Sequence, residues 1–338
     1  MTRLIGAMRP ASSTEHQHRT EVALRIALCL VLAGAAAWGG AIVVASGRVT
    51  MDFEFYWRGA RLWLDGRDPY AMRAGSAGWP LPDVLFYPLP AVMALVPFAK
   101  LPLSAAVALF VGVPMGLLAW CLSRVEQWPL LMLASPGFLL AIVFGQWAPW
   151  LVLGMLMPAL GAVFLCKPSI GLACFAARPN WRAAMACLAL GIASFAIWPG
   201  WFHEWRANLT SLEAHRPPIL TRWGWPLAIA AMRWRERDAR LVLGLACVPQ
   251  LLGFMDQAPL LLIARSRREM VFLVIAAWIA AVPWIRQLGD PAGPRMASAW
   301  PAVLLGAYLP ALYVLLRRAT PSPHDAQVSL LNRRTEQD

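Results

Sequence analysis

The stretch IALCLVLAGAAAWGGAIVVAS, residues 26–46, decides the class of fold because it carries no charge over 21 consecutive positions. A helix of that length reaches across the hydrocarbon layer of a bilayer at about 1.5 Å per residue. The rest of the chain has a similar character, since 59% of its 338 residues are hydrophobic and 14% are charged. Soluble domains usually carry roughly a quarter charged residues. The sequence therefore predicts a membrane protein.

Apolar runs recur to the C-terminus and predict an all-α, polytopic protein with about 10 to 12 transmembrane or broken helices. Several runs are too short to span alone, so tilted or broken helices that face protein or a water-filled cavity are expected. The number of crossings in 127–177 and 224–264 stays open. The candidate crossings are 26–46, 84–99, 102–122, 129–144, 147–165, 168–177, 183–201, 224–232, 241–254, 257–264, 270–285 and 297–316.

The distribution of basic residues predicts how the chain lies in the cell membrane, because cytoplasmic segments are enriched in Lys and Arg. Both termini are predicted to be cytoplasmic. The segments are a basic leader 1–25, a single membrane domain 26–318 with extracytoplasmic loops 47–83 and 202–223, and a polar tail 319–338.

Strict alternation of the twelve runs places Lys100 inside, which the charges favour. Two places resist it, and the first is Arg124, which falls outside. The second is Gly145 and Gln146, which alternation leaves, within a long uncharged run, either on the cytoplasmic side or at the tip of a re-entrant hairpin. The sequence does not choose between those two positions.

The first outside loop begins with an unusual concentration of charged and aromatic residues, MDFEFYWRGARLWLDGRDPY at 51–70. Thr50 can cap a helix there, and Gly66 can end it. This segment is predicted to be an amphipathic helix at the membrane surface, with the arginines in water. The apolar residues at helical spacing are Phe53, Trp57, Ala60 and Leu64.

Five short motifs follow one another along the chain in an order that resembles glycosyltransferase family 87, a branch of the C-class, polyprenol-dependent transferases. Two departures from the family pattern are Leu89, in place of the second proline of a Tyr-Pro-Pro segment, and the lack of an Asn-Gln-Ser segment in 203–224. The motifs are Asp52 with the aromatic helix and DGRDPY (65–70), LFYPLPAVMALVPFAKLPL (85–103), FGQW (144–147), CKPSIG (166–171) and VPQLLGFMDQAPLLL (248–262).

The resemblance implies an inverting membrane hexosyltransferase. It would move a sugar, mannose in the first instance, from a polyprenyl-phosphate carrier to an extracytoplasmic hydroxyl of a glycan or glycolipid. Asp52 would be the general base. No cofactor, metal or nucleic acid is implied, because the lipid-linked donor is itself a substrate. The predicted substrate-binding residues are Lys167, Arg58, Arg61, Tyr87, Gln146, Asp256, Arg206 and Arg222.

Simpler interpretations exist for the same residues. Asp52 can be an acid favoured by a helix N-terminus, and Lys167 can be a lysine that extends from a helix end to the membrane surface. A charge inside an apolar run is costly and often functional, and this argument applies to Lys167 and Asp256. His203 and His215 are interpreted as solvated or interfacial. The arginines form no continuous face for nucleic acid.

Two other classes of function compete with sugar transfer. One is a transporter or flippase for a lipid-linked or small solute, although no paired internal repeat is evident. The other is an inactive relative that acts as a membrane scaffold. The sequence contains no P-loop, GxGxxG, HExxH or GxSxG motif, which argues against nucleotide hydrolases, dehydrogenases and serine hydrolases.

Overall fold

The computed structural model describes residues 11–47, 52–124, 126–209, 215–250, 253–286 and 299–318, with side chains from residue 19 onward. The regular elements in these ranges are helices, and the strand-like pairings there are two isolated bridges, Ser76–Trp79 and Arg216–Gln250. The predicted all-α class is thus confirmed for this part of the chain. Predictions about Thr50, the first ten residues and the tail 319–338 lie outside the described residues.

The helices vary greatly in length. The α-helices are α1 (Ala11–Ser46), α2 (Asp52–Leu64), α3 (Leu89–Leu95), α4 (Leu103–Ser123), α5 (Pro136–Phe144), α6 (Ala148–Leu156), α7 (Pro168–Ala177), α8 (Trp181–Ile197), α9 (Trp201–Leu209), α10 (Arg237–Cys247), α11 (Arg267–Ile285), α12 (Trp300–Val303) and α13 (Leu309–Arg317). The 3-10 helices are Val96–Phe98, Trp128–Ala134, Pro158–Leu165, Pro218–Leu220, Trp225–Arg233 and Ala258–Ile263, and Leu304–Tyr308 is a π-helix.

Four helices in the described residues are long and apolar enough to cross a membrane: Arg19–Ser46, Leu103–Ser123, Arg267–Ile285 and Trp300–Arg317. The pair α8 and α9 would count as a fifth if its 101° bend were taken as one span. These helices support a multi-pass, all-α membrane protein. The predicted 10 to 12 counted transmembrane and broken helices together, and several of the other apolar runs fold as helices too short to span alone.

Proline explains why those runs are divided. The 3-10 helices Trp128–Ala134, Pro158–Leu165, Trp225–Arg233 and Ala258–Ile263 each have a proline in their first two positions. A proline suits a helix start, where its missing N–H is not needed, and breaks a helix that would otherwise continue through it. In the same way Pro136, the first residue of α5, divides the apolar run 129–144 into a 3-10 helix and α5.

Helices α1 and α4 pack closely and run in opposite directions. A Cβ on Gly112 would lie 3.0 Å from the Ala33 carbonyl oxygen, and the Arg25 guanidinium lies 5.9 Å from the Trp120 ring centroid. Small residues let helix backbones approach in this way. Arg124, directly after α4, therefore lies at the same end as the basic leader, which corrects the outside position that strict alternation assigned to it.

The segment 89–98, which contains α3, returns to the end of the molecule at which it began. It therefore does not change sides as strict alternation predicts. The 3-10 helix Val96–Phe98 returns to α2, where the Trp57 indole donates to the Phe98 carbonyl oxygen at 3.2 Å. Lys100 follows directly and precedes the first turn of α4. It therefore lies at the Asp52 end of the molecule, not at the leader end to which alternation assigned it.

Helix α2 differs from the predicted surface helix, because its aromatic face packs against protein. Phe53, Trp57 and Ala60 are buried, and only Leu64 of the predicted apolar face is exposed. The Phe53 ring lies 4.9 Å from that of Phe110 in α4. The spacing of the apolar residues was read correctly, but the surface that they contact is protein.

Candidate functional site

Asp52 is the first residue of α2, and its carboxylate contacts two distant parts of the chain. The Tyr87 hydroxyl donates to Asp52 Oδ2 at 3.0 Å, and Gln146 Nε2 donates to the same oxygen. No other hydrogen bond to this carboxylate is formed within the described residues. Oδ1 is therefore available to accept a hydrogen bond from a substrate.

Lys167 extends the same network in the other direction. Its Nζ donates to Gln146 Oε1 at 3.0 Å and to Asp256 Oδ1 at 2.5 Å. The side chains of Lys167 and Asp256 are 19% and 5% exposed. One continuous hydrogen-bonded network, called the polar chain below, thus consists of Tyr87, Asp52, Gln146, Lys167 and Asp256.

The Gly-Gln motif owes its geometry to the end of α5. Gly145 has φ 60° and caps the helix in the left-handed region, where a glycine is not strained. Its carbonyl oxygen accepts a hydrogen bond from the Tyr56 hydroxyl, and this contact ties the turn to α2. Gln146 then bridges Asp52 and Lys167, with the amide nitrogen toward the carboxylate and the oxygen toward the ammonium.

These contacts place Gly145 and Gln146 beside Asp52, directly after α5. The two alternatives for their position in the membrane both stay predictions. A hairpin of α6 and Pro158–Leu165 follows them. A Cβ on Gly154 of α6 would lie 3.0 Å from Val163, so Pro158–Leu165 folds back along α6 and returns the chain to Lys167.

Asp256 lies in a turn that a strained residue and a second polar network hold in place. Phe254, two residues earlier, has φ 63°, a value that is costly for a bulky side chain and that is often found at functional sites. Gln257 Nε2 donates to Gln250 Oε1 at 2.6 Å, and Gln250 Nε2 donates to the Tyr308 hydroxyl at 3.0 Å. The ion pair with Lys167 is therefore built on a fixed support.

Burial raises the pKa of Asp52 above its ordinary value, although Lys167 and the hydrogen bonds from Tyr87 and Gln146 act in the opposite direction. A raised pKa makes a carboxylate a stronger base near neutral pH. Asp52, Tyr87 and Lys167 are all half-buried, so the polar chain keeps one side accessible. The arrangement can accept a proton from a hydroxyl and can bind an anion at Lys167.

His215 lies near Lys167 and Asp256, a position that the sequence did not predict. It is half-buried, and its Nδ1 is buried with no hydrogen-bond partner within the described residues. Burial lowers its pKa, Lys167 lowers it further, and Asp256 raises it. The imidazole thus lies close enough to the ion pair to be affected by both of its charges. The neighbouring Arg216–Gln250 bridge positions it, and no local sequence pattern indicates such a long-range pairing.

The four predicted arginines do not join the polar chain. Arg58 forms an ion pair with Glu54 at 2.7 Å, and Arg61 lies 4.9 Å from the Trp57 ring centroid. Arg206 and Arg222 are exposed, and the latter lies 4.9 Å from the Trp223 ring centroid. Within the described residues, none of the four bonds to a member of the polar chain, so their role in substrate binding stays a prediction. No three His, Cys, Asp or Glu side chains in those ranges are grouped to hold a metal ion.

Substitution of Gly171, which ends the motif CKPSIG, is predicted to have a strong effect on stability. A Cβ on Gly171 would lie 2.1 Å from the Phe164 carbonyl oxygen, so α7 must approach the preceding 3-10 helix closely. We expect Gly171→Ala to lower the free energy of unfolding by about 3 kcal/mol, as measured by thermal melting in detergent. Gly191→Ala is the matched control, because its Cβ would meet only Leu165 Cδ1, at 3.7 Å. Equal melting of the two variants would contradict this packing.

Comparison of the chain with protein-family models, with curated proteins and with solved structures finds no match. The resemblance to glycosyltransferase family 87 therefore depends on the sequence motifs alone. The contacts of the polar chain are an observation of a different kind, because they follow from the fold and not from the similarity of short motifs.

Proposed function

We propose that this protein is a membrane glycosyltransferase that moves a hexose, mannose in the first instance, from a polyprenyl-phosphate carrier to an acceptor hydroxyl. One observation supports this above all others. Five residues from five separate motifs, spread over more than 200 positions, form one hydrogen-bonded chain. The Asp52 carboxylate, whose Oδ1 accepts no hydrogen bond from the described residues, and an ammonium group are thereby held on either side of Gln146.

Asp52 is the proposed general base. Its Oδ1 accepts the proton of the acceptor hydroxyl while the hydroxyl oxygen attacks the anomeric carbon of the donor. The bond from that carbon to the phosphate oxygen breaks, and its electron pair leaves with the polyprenyl phosphate. Attack opposite the leaving group inverts the anomeric carbon. Tyr87 and Gln146 fix the carboxylate through Oδ2, and general-base assistance of this kind contributes about a hundred- to ten-thousand-fold.

Lys167 is the proposed phosphate-binding group. An ammonium group has three N–H donors, and two of them are directed at Gln146 and Asp256. The third can donate to a phosphate oxygen and stabilise the charge that develops on the leaving group. Asp256 holds the ammonium in position.

The orientation that fits this proposal has both tails in the cytoplasm and the Asp52 end of the molecule outside. The antiparallel packing of α1 and α4 supports it, because Arg124 then joins the basic leader on the positive side. Lipid-linked sugars would reach the site from the outer leaflet. Labelling of a cysteine placed at the exposed residue 65 tests the orientation, and reaction only from the cytoplasmic side would reverse it.

The direct test is sugar transfer by the purified full chain in lipid nanodiscs. The probes are short-chain polyprenyl-phosphate mannose and the corresponding glucose compound, with a panel of glycolipid acceptors. We expect protein-dependent release of polyprenyl phosphate and one glycosylated acceptor. A transporter or flippase would instead move the intact donor across a vesicle membrane without cleaving it. Transbilayer movement without cleavage would therefore replace the proposed function.

A further inference from the structure

Tyr56 lies one turn after Asp52 in α2, so the two side chains lie on the same side of that helix. The Tyr56 side chain is completely buried, at 0% exposure. Its hydroxyl donates to the Gly145 carbonyl oxygen, and its ring forms a T-shaped contact with the Tyr87 ring, with 4.6 Å between the centroids. Tyr56 thus contacts, on two sides, the segments that supply the hydrogen bonds to the Asp52 carboxylate.

The hydroxyl of Tyr56 fixes the backbone from which the Gln146 side chain leaves. The Gly145 carbonyl and the Gln146 N–H belong to one planar peptide group. The carbonyl accepts from Tyr56, and the N–H donates to the Ala141 carbonyl oxygen at 2.8 Å. A glycine backbone has more conformational freedom than that of other residues, so bonds on both sides of this peptide group limit its rotation. The direction of the Gln146 side chain therefore depends on the Tyr56 hydroxyl.

The ring of Tyr56 supports the second donor to the carboxylate, Tyr87. The Tyr87 backbone is held separately, because its carbonyl oxygen accepts from the Tyr70 hydroxyl at 3.1 Å. The Tyr87 ring itself is half-buried and packs against Tyr56 in the T-shaped arrangement that aromatic pairs prefer. Both donors to Asp52 Oδ2, the Tyr87 hydroxyl and the Gln146 amide, therefore have Tyr56 as a common support.

Burial and the charge of Asp52 raise the pKa of the Tyr56 hydroxyl well above its ordinary value. The hydroxyl therefore keeps its proton and acts as a fixed donor. We propose that Tyr56 is a positioning residue for the base, which keeps both donors on Oδ2 of Asp52 and so leaves Oδ1 to the acceptor hydroxyl. The catalytic meaning of this inference rests on the function proposed above, whereas the effect of Tyr56 on the carboxyl group does not.

Loss of this support has a defined effect on Asp52. The hydrogen bonds from Tyr87 and Gln146 lower the pKa of its carboxyl group, so weakening either bond raises that pKa. Tyr56→Phe removes the hydroxyl and keeps the ring, and should therefore move the protonation midpoint of Asp52 to higher pH. It should also lower kcat roughly ten- to a hundredfold through misplacement of the base, with a nearly unchanged KM for the donor. Two charged side chains also act on this carboxyl group, and the substitution alters neither: Lys167 and Asp256.

An infrared titration of the full-length protein in nanodiscs tests the proposal without a substrate. The band of the protonated Asp52 carboxyl group is identified by its absence from Asp52→Asn, and its intensity is followed against pH in the parental protein and in Tyr56→Phe. An unchanged midpoint, or a parental kcat, in folded Tyr56→Phe would overturn the inference. Absence of sugar transfer by the parental protein would contradict the proposed function instead, and the titration would still decide the role of Tyr56.

The matched control removes a tyrosine hydroxyl of the same kind elsewhere. The buried Tyr308 hydroxyl donates to the Leu245 carbonyl oxygen at 3.2 Å, so Tyr308→Phe should lower the melting temperature without moving the midpoint of Asp52. A merely structural role of Tyr56 would give that same result in Tyr56→Phe. Tyr56→Leu also removes the ring and should move the midpoint further, because Tyr87 then loses its support as well. Equal shifts in Tyr308→Phe and Tyr56→Phe would mean that lost stability controls the carboxyl group, and would overturn the inference.

Discussion

Asp52→Asn is expected to lower sugar transfer by roughly a hundred- to ten-thousand-fold while the protein melts at nearly the parental temperature. Asn matches Asp in size and can still accept the hydrogen bond from the Tyr87 hydroxyl. It cannot accept a proton from a substrate hydroxyl. The measurement is the turnover number for donor cleavage with saturating acceptor, together with a melting curve of the same preparation.

Two further variants show what a change at Asp52 means. Asp52→Glu keeps the carboxylate but moves it by about one methylene, and a misplacement of about 1 Å can cost about a hundredfold in rate. Asp65→Asn removes an exposed acid just after the same helix and should leave turnover unchanged. If Asp52 served only as a helix N-terminal acid, its Asn variant would lose roughly 1 kcal/mol of stability and keep its activity. A stable Asn variant with parental turnover would remove Asp52 from the active site.

The pH dependence of the parental enzyme gives an independent check. The raised pKa of Asp52 means that its basic form is lost at a higher pH than for a free aspartate, whose pKa is about 3.9. Donor cleavage should therefore fall as the pH is lowered through this raised pKa, before ordinary aspartates protonate. An acid limb at the ordinary aspartate position would contradict the buried environment of Asp52.

The members of the polar chain could be predicted from sequence, and there is a physical reason for this. Lys167 and Asp256 stand alone in long apolar runs, where the cost of burying a charge makes a partner necessary. Short motifs identified Tyr87 and Gln146. Which acid pairs with Lys167 could not be predicted, because Asp256 is 89 positions away and only the fold brings them together.

The surroundings of α2 could not be predicted, because the sequence pattern of an apolar helix face is the same whether that face contacts lipid or protein. The number of helices that span alone could not be predicted for a related reason. Hydropathy reports how apolar a run is, but prolines and close packing decided that runs such as 129–144 and 147–165 form two short helices each. Arg206, in α9, and Arg222, in a turn, are both exposed and show a similar limit, since the sequence carries no signal for the direction in which a basic side chain points.

The ion pair with Asp256 determines how Lys167 has to be tested. Lys167→Met alone would leave a carboxylate that is 5% exposed without its cation, and breaking a buried pair in this way costs about 3–5 kcal/mol. Weak donor binding by an unstable protein would prove nothing. In Lys167→Met/Asp256→Asn the unpaired charge is absent, so this double variant should recover most of the lost stability. Lys100→Met is the matched control, because Lys100 is the other lysine of the chain and is exposed.

The double variant separates the two roles that Lys167 can have. If Lys167 donates to the donor phosphate, the stable double variant should bind a polyprenyl-phosphate sugar about ten- to a hundredfold more weakly, because a hydrogen bond to a charged group contributes about 1.5–3 kcal/mol. Lys167→Arg should bind with intermediate affinity, since the charge survives but the geometry changes. If Lys167 is only the partner of Asp256, the double variant should bind the donor as the parental protein does. Donor affinity, measured by titration in nanodiscs beside the melting curves, therefore decides whether this ion pair holds the fold together or also holds the leaving phosphate.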